Sequence, residues 1–158
     1  MQKITPFLWF DKEAEEAAKF YVSVFRNSRI VSVTHYTEGG PMPKGSVMTV
    51  DFELDGVRFT ALNAGPHHQF NEAISFTVRC ESQQEVDEFW SKLTAGGGQE
   101  VQCGWLKDKF GLSWQVTPTA LMRMLGDPDR KKAGRVMQAM MGMKKIDIAG
   151  LQRAYDAA

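Results

Sequence analysis

ISFTVRCESQQEVDEFWSKL, residues 74–93, carries a strand, a helix start and a helix, and the same succession stands earlier in the chain. Ile74 to Cys80 reads as a strand. Ser82-Gln83-Gln84-Glu85 is a capping box, in which the serine hydroxyl and the glutamate carboxylate satisfy helix N–H groups that have no partner in the first turn. Val86, Phe89, Trp90 and Leu93 form the apolar stripe of the helix, and Gly96-Gly97-Gly98 ends it. The earlier stretch is ITPFLWFDKEAEEAAKFYVSVF, residues 4–25. It reads as a short aromatic strand to Phe10, a cap at Asp11, and a helix with Ala14, Ala17, Ala18, Tyr21 and Phe25 at three- and four-residue spacing. An offset of 69 residues lays Phe7 on Phe76, Ala17 on Val86, Phe20 on Phe89, Tyr21 on Trp90 and Val24 on Leu93.

Each helix is followed by three strand signals. Arg29–Thr37, Ser46–Leu54 and Val57–Asn63 follow the first, with Asp55-Gly56 as the dipeptide a two-residue type I′ turn favours. Gln99–Cys103, Trp105–Lys107 and Leu112–Val116 follow the second. The chain therefore reads as a duplicated βαβββ unit of the α+β class, with modules at 1–66 and 67–118. Residues 119–158 form a helical extension. In it Thr119–Leu125 reads as a short helix. Asp127-Pro128 supplies a cap and a first-turn proline for a helix to about Met141, and Asp147 caps a last helix to Tyr155. The extension holds six of the nine methionines, and Val136, Met137, Met140 and Met141 predict an apolar stripe that packs on the sheet or on a partner subunit. Its basic residues, Arg130, Lys131, Lys132, Arg135, Lys144 and Lys145, predict a solvated face.

Composition bounds the function. The 158 residues suffice for one ordinary domain with a real core, and 19 basic against 19 acidic residues give no net field toward nucleic acid or an anionic membrane. Cys80 and Cys103 have neither a C-x-x-C nor a zinc spacing, and stand either as two reduced thiols or as one disulfide. The opening MQKITPFLWF is too short an apolar run for a signal peptide or a membrane span. A soluble, cytoplasmic protein is expected.

Four segments, ITPFLWFDKEAEEAAKFYVSVF, FTALNAGP, CGWLKDKFGLSWQVTP and RVMQAMMGMKKIDIAGLQRAY, resemble the PhnB-like branch of the vicinal-oxygen-chelate, or glyoxalase-like, superfamily. That branch often carries the name 3-demethylubiquinone-9 3-methyltransferase. The resemblance implies a cupped eight-stranded mixed sheet with helices outside, a pocket in each half-barrel, and a homodimer. It implies little about the reaction, since such proteins isomerise, oxygenate, add thiols or sequester drugs.

Metal-using relatives place histidine and glutamate on the first and last strand of each module. Carried onto this chain by the repeat, those positions are about Pro6 and Thr60, and Ser75 and Gln115. Neutral oxygen donors and a proline are a poor set for a divalent transition metal, so no metal site and no cofactor are expected. The methyltransferase name finds no support either. A nucleotide-type methyl donor sits on a glycine turn between a strand and a helix N-terminus, and here the glycine run follows a helix.

What remains is a ligand pocket of neutral polar groups and aromatic walls: Trp9, Thr60, Asn63, Ser75, Trp105, Ser113 and Gln115, with Ser113 and Gln115 facing inward and Trp114 lying under a helix. His67 and His68 are the candidates for a general base, against the alternative of a solvated loop. The expected function is metal-independent binding of a small molecule. Its rivals are an enzyme, metal-dependent or methyltransferase, and an interaction module working through the helical extension.

Overall fold

The computed structural model describes residues 2–158, which divide between Gln69 and Phe70 into two units. In the first unit the chain runs β1 (Phe7–Phe10), α1 (Ala14–Val24), β2 (Arg29–His35), β3 (Val47–Leu54) and β4 (Val57–Asn63). The sheet order is β1-β4-β3-β2, with β1 parallel to β4 and the other pairs antiparallel. Asp55 and Gly56 both take positive φ, 48° and 81°, as a type I′ turn demands at its two central residues.

The side chains of β3 alternate, and Val50, Phe52 and Leu54 are buried. Phe52 stacks on Tyr21 of α1 at 6.1 Å and on Phe59 of β4 at 5.5 Å. Ala14, Ala17 and Ala18 are fully buried, so α1 meets the sheet through its smallest residues while Tyr21 supplies the bulk. Asp11 does not cap α1. The cap position falls on Glu13, whose side chain makes no cap bond, and Asn63 at the end of β4 accepts the Ala14 N–H at 2.8 Å instead. The helix is thus capped from across the unit, a partner that local spacing does not reveal.

The second unit repeats the order: β5 (Ser75–Cys80), α2 (Gln83–Thr94), β6 (Gln99–Glu100), β7 (Trp105–Lys107) and β8 (Ser113–Pro118), with sheet order β5-β8-β7-β6 and β5 parallel to β8. The capping box forms, since Ser82 Oγ accepts the Glu85 N–H and the Glu85 carboxylate accepts the Glu81 N–H, each at 3.2 Å. Val86, Trp90 and Leu93 are buried as the stripe requires.

Two strand expectations change. The segment Gln99–Cys103 is a strand only over Gln99–Glu100, because Cys103 and Gly104 adopt positive φ, 60° and 84°. Their N–H groups donate to the carbonyls of Met143 and Lys144, both at 2.8 Å, rather than to a strand. The repeat also slips by one residue. The helices match at an offset of 69, Tyr21 on Trp90, but the buried strand residues match at 70, Leu8 on Val78 and Phe10 on Cys80. The connection before α2, residues 81–82, is one shorter than residues 11–13 before α1. A one-residue slip moves a strand side chain to the other face. Phe7 corresponds to Thr77, and Pro6 and Ser75 are not equivalents.

The extension forms α3 (Thr119–Leu125), α4 (Arg130–Met141) and α5 (Ile148–Asp156) around Leu121, Met124, Val136, Ile146 and Leu151. Asp129, not Asp127, caps α4 by accepting the N–H groups of Lys131 and Lys132. Asp127 instead accepts the Tyr155 hydroxyl at 2.5 Å. The methionine stripe divides, with Val136 buried and Met140 packed against the cluster, while Met137 and Met141 are 42% and 63% exposed. The basic run is partly consumed within the unit rather than left to solvent. Arg130 donates to the Leu125 carbonyl at the end of α3, Arg135 donates to the carbonyls of Ala154 and Tyr155, and Lys145 pairs with Asp87. Among the described residues no helix is long and apolar enough to cross a membrane.

Candidate functional site

Each sheet has one face packed by its helix and one free of it, and strand register assigns the polar side chains to the free face. In the first sheet Phe7 pairs with Thr60, Thr60 with Asp51, and Asp51 with Ser32, which makes one row across all four strands. The next row is Trp9, Leu62, Thr49 and Thr34. Hydrogen bonds run along both: Thr60 Oγ1 donates to Asp51 Oδ1 at 2.7 Å, and the hydroxyls of Thr34 and Thr49 meet at 2.5 Å. Glu53 lies on the same face, held by Arg29 at 3.2 Å and Arg58 at 3.1 Å. The two guanidiniums keep its carboxyl below the usual 4.5, the Arg58 hydrogen bond acting most strongly.

In the second sheet the corresponding row is Thr77, Gln115 and Trp105. By register Gln115 is the equivalent of Thr60, and Trp105 of Asp51. Gln115 Nε2 donates to Ser75 Oγ at 2.9 Å. Ser113 lies between Ser75 and Lys107, and Lys107 pairs with Glu72. Ser113 is 1% exposed, and its hydroxyl is the single buried side-chain polar atom with no hydrogen-bond partner among the described residues. Trp114 points to the other face, buried against Phe76 at 5.5 Å, with its indole N–H donated to Asp108 at 2.8 Å. Asp108 also accepts the N–H groups of Phe110 and Leu112, so one buried carboxylate shapes the hairpin that presents Ser113 and Gln115.

The predicted site residues therefore fall into groups. Ser75, Ser113, Gln115 and Trp105 come together on the second sheet, with Thr60 and Trp9 on the first. Asn63 sits on the helix face of β4, its amide spent on Ala14 and the Val47 carbonyl and its own carbonyl accepting the Tyr36 hydroxyl. His68 meets the Trp9 ring edge-on at 4.7 Å, and the Trp9 indole donates to the Gly65 carbonyl at 2.9 Å. The His67 ring folds back toward Gly65. Both histidines are exposed. Asp51 was not foreseen, although an aspartate inside an apolar strand run is itself a signal, since this residue is depleted from strands.

The side chains present bear on two cofactor types, a divalent metal and a nucleotide-type methyl donor. Thr60 and Gln115 offer neutral oxygens, and the Pro6 carbonyl is taken by the Thr60 N–H at 3.0 Å. Among the described residues no three His, Cys, Asp or Glu side chains gather as metal ligands. The donor set does not fit a divalent transition metal. The glycine run follows α2 instead of opening a helix, so it presents no helix N-terminus to a nucleotide, and a Cβ on Gly98 would meet Thr94 Cα at 2.7 Å and the Lys107 carbonyl at 2.8 Å. Protein already fills that space. Cys80 and Cys103 are free thiols, and burial together with Glu85 and Glu81 pushes the Cys80 thiol up to about 12.

Residues 2–117 match the family described as 3-demethylubiquinone-9 3-methyltransferase. A Bacillus cereus PhnB protein, described as a 3-demethylubiquinone-9 3-methyltransferase, is 39% identical, with 74% of this chain and 99% of that one covered at a TM-score of 0.67. A Pseudomonas aeruginosa protein is 19% identical over 75% of this chain and 98% of its own, at 0.61, and shares the fold. So does the fosfomycin resistance protein FosX of Listeria monocytogenes, 15% identical over 75% of this chain and 93% of its own, at 0.53. Among curated proteins none matches significantly. With two βαβββ modules and this match, the chain belongs to the 3-demethylubiquinone-9 3-methyltransferase, or PhnB-like, family.

Proposed function

We propose that the protein binds a small molecule on its helix-free sheet faces through neutral hydrogen-bonding groups and aromatic walls, without a metal. The family is built on a small-molecule-binding fold, and the donor chemistry of the second sheet supports the metal-free part. The observation that carries the reading is the Ser113 hydroxyl, buried without a partner beside the Ser75–Gln115 pair and Trp105. A buried polar group left unpaired costs roughly 1–3 kcal/mol, so in a native chain it calls for a partner such as a bound molecule, a water or an ion. A ligand oxygen or nitrogen that reaches this hydroxyl recovers the lost bond, while the Trp105 ring covers its apolar part.

A thermal-shift screen of quinones, S-adenosylmethionine and small aromatic alcohols tests the reading. A specific binder raises Tm by an amount set by its concentration over its Kd. The shift is expected to shrink in Ser113→Ala and in Gln115→Ala. A binder whose shift both variants retain in full would move the site elsewhere. Elemental analysis of protein purified without chelator bears on the metal-free part, since stoichiometric zinc, nickel, manganese or iron would overturn it. The working form proposed is a cytoplasmic homodimer, supported by the exposed Met137 and Met141 on α4. Light scattering at micromolar concentration should give twice the chain mass, and a persistent monomer would refute the dimer.

A further inference from the structure

Asp51 is the side chain that the family resemblance and the hairpin reading leave unexplained. It stands inside β3 (Val47–Leu54), with β4 on one side and β2 on the other, a position where aspartate is disfavoured. Its carboxylate is half-buried on the helix-free face. Oδ1 accepts the Thr60 hydroxyl at 2.7 Å, and Oδ2 has only the Ser32 hydroxyl at 3.4 Å. A carboxylate has about four acceptor positions, so most of its capacity is unused.

The same strand supplies the control. Glu53, two residues on and on the same face, is clamped by Arg29 from β2 and Arg58 from β4. Cations are therefore at hand on both neighbouring strands, and the fold spends them on Glu53. Among the described residues Asp51 has no ion pair. Across Thr60 in the same row stands Phe7, 59% exposed, about 10 Å from Asp51 at twice the usual interstrand spacing. An exposed ring and an unpaired carboxylate at that separation match a ligand with an apolar group at one end and a cationic nitrogen at the other.

We propose that Asp51 is the specificity-determining residue of this face and selects an amine, an ammonium group on an aromatic or aliphatic body, over the neutral and anionic forms of the same shape. The proposal rests on the reading that helix-free faces take the ligand, and the probes separate the two. Three compounds of one length are titrated by calorimetry: 4-phenylbutylamine, 4-phenylbutanol and 4-phenylbutyrate. The amine is expected to bind at least about tenfold tighter than the alcohol, and the butyrate weakest. In Asp51→Asn, which keeps an acceptor for Thr60, the amine should fall to the level of the alcohol while the alcohol is unchanged. Asp51→Ser should do the same, which guards against one variant misfolding. Equal binding of amine and alcohol by the native chain, or an amine preference that survives in Asp51→Asn, overturns the role of Asp51 alone. Absence of binding by all three up to their solubility overturns the ligand-face reading of the first sheet with it.

Discussion

The two modules share a topology and divide their means of support. The first builds its sheet from strands of eight and seven residues, β3 and β4, and fills one face with the stack Tyr21–Phe52–Phe59. The second has only two residues in β6 and three in β7, and makes up the deficit with a buried polar staple at Asp108 and with the helical extension, whose Met143 and Lys144 carbonyls take the N–H groups of Cys103 and Gly104. One duplicated plan thus reaches stability by apolar packing in one half and by specified hydrogen bonds in the other. The sharpest test removes each support. Phe52→Ala should destabilise by about 3–5 kcal/mol, the range for a large aromatic deleted from a core. Asp108→Ala should cost roughly 3 kcal/mol or more, because the Leu112 and Trp114 N–H groups lose their acceptor in a buried place. Denaturant titration followed by tryptophan fluorescence measures both. An Asp108→Ala loss under about 1 kcal/mol would make the staple incidental and break the contrast.

The helix starts divide the same way. Ser82 caps α2 from the adjoining residue, whereas Asn63 caps α1 from the end of β4 and also binds the Val47 carbonyl. Ser82→Ala should therefore cost about 1 kcal/mol, an ordinary cap, and Asn63→Ala roughly 2 kcal/mol, because the buried Ala14 N–H and the part-buried Val47 carbonyl both lose their partner. Equal losses in the two variants would mean that the tertiary cap adds nothing beyond a local one.

These cases also mark what the sequence makes legible. Periodicity identified both helices, the Asp55-Gly56 turn and the strand-helix-three-strand order, because those signals are local in the chain. The family resemblance added the sheet plan. The Asn63 cap was not legible because it joins groups 49 residues apart, and the Asp108 staple because the hairpin has to form before the carboxylate meets the Trp114 indole. The repeat offset was read from the helices and carried into the strands, where a connection shorter by one residue reverses the face. That slip is why Pro6 was set against Ser75. Ser75, Ser113, Gln115 and Trp105 come together on one sheet because strand alternation and pairing place them side by side. Asp51 was not foreseen because β3 carries none of the positions that the resemblance implies, although Trp105, its equivalent by register, was expected on the second sheet.

The two thiols give a smaller, chemical form of the contrast. Cys80 is fully buried on the helix face of β5, and Cys103 is half-buried in a turn. Burial raises the Cys80 thiol to about 12 from an ordinary 9.0, so the native state holds it protonated where an unfolded chain would ionise it. Stability linked to Cys80 is therefore complete below about pH 9 and declines as pH rises toward 12. At pH 8 a thiol-labelling reagent should modify Cys103 in the native protein and Cys80 only after denaturant is added. Rapid native labelling of both would show that the second unit opens far more readily than its hydrogen bonds suggest.

The smallest effect expected is at Glu53, where the first sheet keeps a carboxylate on its surface with cations while the second keeps Asp108 inside with N–H donors. The Arg58 and Arg29 hydrogen bonds lower the Glu53 carboxyl in the folded state from 4.5. A depressed carboxylate contributes stability that is present above its unfolded value and lost as pH falls through the folded value. Acidification from pH 6 to 3 should thus lower Tm more in the native chain than in Glu53→Gln. Arg29 is 65% exposed, so solvent and salt screen its half of the pair, and the difference between the two chains should be slight and shrink further in 1 M salt. Parallel pH profiles at low salt would mean that the two arginines do no more than tidy the surface. The contrast between the clamped Glu53 and the unpaired Asp51 would then have to rest on Asp51 binding alone.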